Sequence, residues 1–222
     1  MTKSIIFDMD GTLFQTNKIL EISLSETFEY LRVKEGWEGE TPIEKYREIM
    51  GVPLPVVWEN LLPNYSNDVR IMANDFFHAK LIDNIYKGNG ELYPNVTETF
   101  AYLKSNGYTI FVASNGLPEY LSAIVEYYKL NQWLTDVYSI QQIESQDKAE
   151  LVRILVQKYN ITGGALVGDR ISDIRAAKSN GLLSIGCNFD FAQAEELQHA
   201  DRIINDISEL KSILEEGAFQ IE

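Results

Sequence analysis

The sequence of 222 residues is short of cysteine and of positive charge, and each shortage excludes a class of protein. A single cysteine, Cys187, cannot form an internal disulfide, which fits a reducing compartment and favours a packing role for this side chain. Nineteen Lys and Arg residues against 33 Asp and Glu give a net charge of −14. This balance argues against binding to a nucleic-acid polymer or to an anionic membrane, and an anionic substrate would need a local cluster of positive groups.

Long apolar runs are missing as well. No stretch approaches the roughly 20 apolar residues that a membrane span needs. The first residues have neither the basic region nor the apolar core of a secretory signal. We therefore expect a globular, cytoplasmic protein, a monomer or a homodimer, whose 45% hydrophobic residues are enough to bury a sizeable core.

The most informative segment that is present is an apolar run, 5–7, that leads directly into Asp8-Met9-Asp10-Gly11-Thr12. Such a short run is typical of a buried parallel strand, and α/β proteins hold ligands at the carboxyl edge of the sheet. Two carboxylates beside a buried strand repel each other and lose hydration, so a divalent metal ion would keep both ionised. In the alternative interpretation, both aspartates are solvated residues of a simple turn.

The chain from residue 91 onward alternates strand-like and helix-like segments, which predicts a parallel sheet covered by helices. The predicted strands are 109–113, 136–140, 165–167, 183–187 and 202–204. The predicted helices are 95–106, 118–129, 147–159, 171–180 and 207–215. Asn95 is expected to cap the first of these helices, together with Glu98 three positions later.

Residues 16–88 differ because they show helical periodicity without a convincing strand. Within this stretch Thr41 is expected as an N-cap, with Pro42 at the first helical position. The sequence therefore predicts a core domain of residues 1–15 and 89–222 and an inserted all-α cap domain of residues 16–88. Glycines at 88 and 90 would give a flexible return to the core.

Three further clusters follow predicted strands or open predicted helices. Ser114 and Asn115 offer a hydroxyl and an amide to an anionic oxygen, although they also suit an ordinary turn. Lys148 falls in the first turn of a helix, where a cation is unfavourable unless an anion faces it, or it is simply an exposed lysine. Asp169 and Asp173 lie four residues apart and are compatible with a metal site or with an ordinary helix start.

In order and spacing these clusters resemble the four motifs of the haloacid dehalogenase superfamily of phosphotransferases, in the branch with a helical cap after the first strand. The first motif is 8–12, the second 114–115, the third Lys148, and the fourth 168–169 with Asp173. The resemblance covers nearly the whole chain and implies a three-layer α/β/α, Rossmann-like parallel sheet with an inserted helical cap. Asn95 stands where relatives usually have glycine, and asparagine also tolerates positive φ.

The resemblance implies a Mg²⁺-dependent phosphatase that acts on a small phosphorylated metabolite of the phosphoglycolate, nucleotide or sugar-phosphate type. Asp8 would attack phosphorus to form an aspartyl-phosphate that water hydrolyses, and Asp10 would be the general acid and base. The implied metal ligands are Asp8, the backbone carbonyl of Asp10, and Asp169, while the implied phosphoryl ligands are Ser114, Asn115 and Lys148. Asp173 and Thr12 would contact these ligands and hold them in position.

Alternative functions remain open at this level. Asp10 favours phosphoryl transfer over the halide displacement that gave the superfamily its name. A phosphomutase of the β-phosphoglucomutase type would use the same aspartate pair but would need cations for a second phosphate. A non-catalytic binding protein with the same fold is the alternative of another class, because fold does not fix function.

Overall fold

The computed structural model describes residues 2–49, 54–190 and 192–216. The chain divides into two compact units, Met1–Gln15 with Leu92–Glu222 and Thr16–Glu91. In the part of the chain that the structure describes, no helix has the length and apolar character to cross a membrane.

The first unit is built on a six-stranded sheet, as predicted, with all strands parallel. Its strands are β1 (Thr2–Phe7), β2 (Thr109–Ser114), β3 (Asp136–Ser139), β4 (Ile161–Gly168), β5 (Leu183–Cys187) and β6 (Arg202–Ile204). Their spatial order is β3-β2-β1-β4-β5-β6, so the direction of winding reverses between β1 and β4. Such a reversal opens a crevice at the carboxyl ends of the two strands, where α/β proteins bind ligands.

β1 is the central strand, and its apolar sequence explains that position. Ile5, Ile6 and Phe7 are fully buried, because helices cover both faces of a parallel sheet. Phe7 pairs in register with Val112 of β2 and with Val167 of β4. The residue that follows Phe7 is thereby fixed at the middle of the carboxyl edge.

The second unit is helical, as its periodicity predicts. Its helices are α1 (Asn17–Glu35), α2 (Ile43–Glu48), α3 (Leu54–Leu61) and α4 (Asn67–Tyr86). Phe28, Trp58 and Phe77 form its aromatic centre, with ring centroids 6.5 Å apart for Phe28 and Trp58 and 5.8 Å apart for Trp58 and Phe77. The Trp58 indole N–H donates to Asn74 Oδ1 at 2.9 Å, so its burial leaves no polar group unsatisfied.

Five helices of the sheet unit lie close to their predicted positions, and a short one, Ala194–Leu197, has no counterpart among the predicted helices. They are α5 (Val96–Ser105), α6 (Pro118–Tyr127), α7 (Lys148–Lys158), α8 (Ile171–Ser179), α9 (Ala194–Leu197) and α10 (Leu210–Glu215). The segment predicted as one helix over 207–215 begins as a 3₁₀ turn, Ile207–Glu209, which Asp206 caps by accepting from the Ser208 N–H.

Two predicted helix caps are wrong. α2 begins at Ile43 with Pro42 as its N-cap, because the Pro42 carbonyl accepts the first helical bond, from Tyr46 N–H, at 3.0 Å. The carbonyl of Thr41 instead accepts from the Ile43 N–H at 2.8 Å, which places Thr41 outside the helix.

Asn95 is the N-cap of α5 by position, but its side chain makes no capping hydrogen bond. Its amide nitrogen donates to both carboxylate oxygens of Asp206 at 3.0 Å, and this charge-assisted contact fixes the orientation of the side chain. Its φ of 64° is the left-handed conformation, which asparagine tolerates better than most residues other than glycine.

Gly164 in β4 pairs with Ser4 of β1 and provides a stability test. It has φ +151°, and a Cβ built there would lie 1.8 Å from the Ser4 carbonyl oxygen, whereas a Cβ at Gly163 would meet nothing within 4 Å. Gly164→Ala should therefore lower the free energy of unfolding by about 3 kcal/mol or more, because backbone strain adds to overpacking. Gly163→Ala is the matched control, and equal denaturation midpoints for the two variants would contradict this packing account.

Candidate active site

The predicted site residues come from chain segments that are far apart in sequence and meet at one edge of the sheet. Asp8 follows β1, and its N–H donates to the Val167 carbonyl at 2.9 Å, which extends the pairing of β1 with β4 by one residue. Ser114 ends β2, Lys148 begins α7, and Asp169 follows β4. The sheet topology therefore brings parts of all four motifs to its carboxyl edge.

Three carboxylates form the centre of the site. Asp8, Asp169 and Asp173 are all buried, and each offers an oxygen within 4.8 Å of the others'. Two glycines leave room for them. A Cβ at Gly11, where φ is +71°, would lie 2.5 Å from Asp169 Oδ2, and a Cβ at Gly168 would lie 2.2 Å from Asp173 Cγ. A side chain at either glycine would displace a carboxylate from the cluster.

Lys148 is buried between two of these carboxylates and is not the exposed lysine of the alternative interpretation. Its Nζ lies 2.8 Å from Asp8 Oδ1 and 2.5 Å from Asp173 Oδ1. Burial alone would lower the pKa of Lys148, but the charges of Asp173 and Asp8 outweigh it and raise the pKa above its ordinary value. The ammonium is thus held charged at the start of a helix, and these carboxylates offset the unfavourable helix dipole.

Negative charge still exceeds positive charge in the cluster. Burial is the largest cause that raises the pKa of Asp169 well above 3.8, and the neighbouring Asp8 and Asp173 add to it. Burial likewise raises the pKa of Asp173 to about 6, against the lowering effect of Lys148. An all-oxygen site with this surplus charge suits a hard divalent cation such as Mg²⁺, so the residues present fit such an ion.

Two smaller contacts orient the carboxylates. The Thr12 hydroxyl donates to Asp169 Oδ1 at 3.3 Å, across 157 positions of sequence. The Arg170 N–H donates to Asp173 Oδ2 at 3.0 Å, within the first turn of α8. Each bond engages one oxygen of a buried acid and restricts its rotation.

The Asp10 side chain takes no part in the cluster of three carboxylates. Its Oδ1 instead accepts a hydrogen bond of 2.6 Å from the hydroxyl of Tyr120, a buried residue of α6. Sequence reasoning missed Tyr120, which falls outside the apolar stripe of its helix. A signal was available, because a tyrosine in the first turn after the second motif lies near the sheet edge.

Ser114 and Asn115 sit in the loop between β2 and α6. The Ser114 side chain is buried, and its oxygen accepts from the Gly116 N–H at 3.1 Å, whereas Asn115 is exposed. The Ser139 hydroxyl, at the end of β3, donates to the Gly116 carbonyl at 2.7 Å. Ser139, also missed from sequence, thus fixes the loop from the neighbouring strand.

Comparisons with known proteins identify the family of the chain. A family model described as haloacid dehalogenase-like hydrolase matches residues 5–187. The chain is 25% identical over 228 residues to a phosphoglycolate phosphatase from Vibrio parahaemolyticus, with 96% of both chains covered. It is 21% identical over 220 residues to a 5'-nucleotidase from Pseudomonas aeruginosa, with 96% of this chain and 95% of the relative covered.

A solved structure, titled as a predicted phosphoglycolate phosphatase from Haemophilus somnus, has the same fold. Its TM-score is 0.85 at 21% identity, with 96% of this chain and 98% of that chain covered. The fold and the family match together define a hydrolase. The chain belongs to the haloacid dehalogenase-like hydrolases, because the family model spans most of its length.

The carboxylate cluster predicts how stability depends on pH. Asp169 and Asp173 have folded-state pKa values above 3.8, so in the metal-free protein they keep protons that the unfolded chain has lost. The contribution of Asp173 to the free energy of unfolding therefore falls as pH rises from about 4 to about 6, and that of Asp169 changes in the same direction. Mg²⁺ competes with those protons, so its stabilising effect should increase over the same window.

Thermal unfolding across this pH range, with magnesium chloride and with chelator, measures the effect. Sodium chloride at matched ionic strength is the control for screening. A magnesium-induced shift in melting temperature that is absent, or that is equally large at all pH values, would contradict the assignment of the cluster as a cation site.

Proposed function

We propose that this hydrolase removes the phosphoryl group from a small phosphomonoester through a covalent intermediate on Asp8, with Mg²⁺ as cofactor. The observation that carries the proposal is the environment of Asp8. Its carboxylate lies at the switch point of the sheet, paired with the Lys148 ammonium and beside Asp169. A carboxylate paired with an ammonium and fixed in orientation is suited to attack phosphorus.

The reaction has two displacements at phosphorus. In the first, a carboxylate oxygen of Asp8 forms a bond to phosphorus, the bond from phosphorus to the substrate oxygen breaks, and Asp10 gives its proton to that leaving oxygen. In the second, a water oxygen bonds to phosphorus, the bond to Asp8 breaks, and Asp10 takes a proton from the water. Both aspartates return to their starting states, so turnover consumes only substrate and water.

The equatorial phosphoryl oxygens are assigned to Ser114, Asn115 and Lys148. A hydroxyl, an amide and an ammonium are donors that stabilise the charge that shifts onto these oxygens in the transition state. They also provide the local attraction for an anionic substrate that a chain of net charge −14 needs.

The metal site is assigned to Asp8, the backbone carbonyl of Asp10, and Asp169. When bound, Mg²⁺ would offset the carboxylate charge and the charge of the phosphoryl group. Asp173 and Thr12 have supporting roles, since Asp173 holds the Lys148 ammonium and Thr12 holds the Asp169 carboxylate. These residues all belong to the sheet unit, which we assign as the catalytic domain, and residues 16–88 remain predicted as its cap.

The proposed substrate class is a small alkyl phosphomonoester, with phosphoglycolate as the first candidate. Support comes from the relatives, because several that match over nearly the whole chain are named phosphoglycolate phosphatase. Relatives named 5'-nucleotidase and pyrophosphatase make nucleoside monophosphates and pyrophosphate the comparison substrates.

Asp8→Asn tests the proposal. The change removes the attacking charge with almost no change in volume, and Asp173 still pairs with Lys148, so the fold should persist. We expect kcat for magnesium-dependent phosphate release to fall by about a thousandfold or more. The assay compares phosphoglycolate, nucleoside monophosphates, pyrophosphate and p-nitrophenyl phosphate, with magnesium and with chelator.

Asp75→Asn, an exposed position of α4, is the matched control and should keep the wild-type rate. Full activity of Asp8→Asn would rule out Asp8 as the nucleophile. Absence of phosphate release from every substrate by the wild-type protein would rule out the proposed activity itself.

A further inference from the structure

The hydrogen bond between Tyr120 and Asp10 joins a residue outside the sequence motifs to the proposed general acid and base. The Tyr120 hydroxyl donates to Asp10 Oδ1 at 2.6 Å, at the short end of the range for hydrogen bonds between oxygens. The Tyr120 side chain is only 4% exposed, although it reaches a carboxylate at the open edge of the sheet. A tyrosine buried in this way usually has a hydrogen-bond partner, and here the partner is a reacting group.

The Tyr120 ring is fixed by its surroundings. It packs edge-on against Phe14, with centroids 6.5 Å apart and an interplanar angle of 77°. It also packs over Gly116, where a Cβ would lie 3.1 Å from Tyr120 Cδ1. Phe14 in turn forms a backbone bridge with Asp10. The hydroxyl therefore projects from a rigid support that includes the same backbone turn as its acceptor.

This geometry suits a carboxyl group that must alternate between charged and neutral forms. An ionised Asp10 accepts the bond at Oδ1, and an Asp10 that carries its proton on Oδ2 still accepts it there, because Oδ1 is then a carbonyl oxygen. The bond can persist through both displacements. It keeps the plane of the carboxyl group in place and directs proton exchange to Oδ2.

We propose that Tyr120 is a positioning residue that orients the Asp10 carboxyl group for proton transfer to the leaving oxygen and from the attacking water. The inference rests on the proposed function of Asp10. Tyr120 itself exchanges no proton with substrate, and its contribution is geometric, since small misplacements of a catalytic group cost large factors in rate.

Tyr120→Phe tests this role because it removes the hydroxyl and keeps the ring. The decisive measurement is kcat/KM for two substrates, since kcat/KM covers the steps up to departure of the leaving group. An alkyl phosphomonoester such as phosphoglycolate needs a proton on its leaving oxygen, and its kcat/KM should fall about tenfold or more. p-Nitrophenyl phosphate has a weakly basic leaving group that departs without a proton, and its kcat/KM should fall less than about threefold.

A double-mutant cycle with Asp10→Asn separates positioning from general damage. If Tyr120 acts through Asp10, adding Tyr120→Phe to Asp10→Asn should cause no further loss. Tyr127→Phe is the matched control, because Tyr127 lies in the same helix and is 41% exposed. Melting temperatures of all variants verify that each is folded.

Three results would overturn the inference: equal losses on both substrates, an unchanged kcat/KM for the alkyl substrate, or multiplicative losses in the double variant. Failure of the proposed function has a different signature. In that case the wild-type protein releases phosphate from neither substrate, or Asp10→Asn keeps full rates on both. Either result would also rule out the proposed role of Tyr120.

Discussion

The pairing of one buried ammonium with two of three buried carboxylates is the constraint on which the site depends. Lys148 contacts Asp8 and Asp173, and Asp169 completes the cluster. Burial of these charges is unfavourable unless each is paired, so the four side chains can coexist only in a narrow set of positions. The surplus of negative charge that makes the cluster costly in isolation suits a divalent cation, and the proposed function places one there to offset the charge of the carboxylates.

The sheet supplies the positions that this pairing requires. β1 and β4 are adjacent and in register, so Asp8 and Asp169 emerge side by side at the point where the winding reverses. Gly11 and Gly168 leave the space that the carboxylates fill. The site residues that follow strands lie on loops that extend from the rigid edge of the sheet. Hydrogen bonds from neighbouring segments, such as the bond from Ser139 to Gly116, limit the movement of these loops.

Local patterns predicted the elements well, because strands such as β1 and helices such as α7 are encoded by short runs of residues. Roles that depend on distant segments were harder to predict. The place of Tyr120 in the first turn of α6 indicates only that it lies near the sheet edge, and its bond to Asp10, 110 positions away, depends on packing. The pattern of Asn95 and Glu98 predicts a side-chain cap, yet the Asn95 side chain is oriented by a charge-assisted bond to Asp206, which is 111 positions away in the sequence. The sequence therefore indicated which residues form the site, whereas the packing of the sheet decided which side chains each of them contacts.

The central claim is that phosphorus undergoes two successive displacements, with Asp8 as the first acceptor. The most direct test is the stereochemical course at phosphorus, measured with a chiral thiophosphate substrate hydrolysed in isotopically labelled water. Each in-line displacement inverts phosphorus, so a covalent intermediate predicts net retention of configuration. Net inversion would show a single displacement by water and would contradict the account.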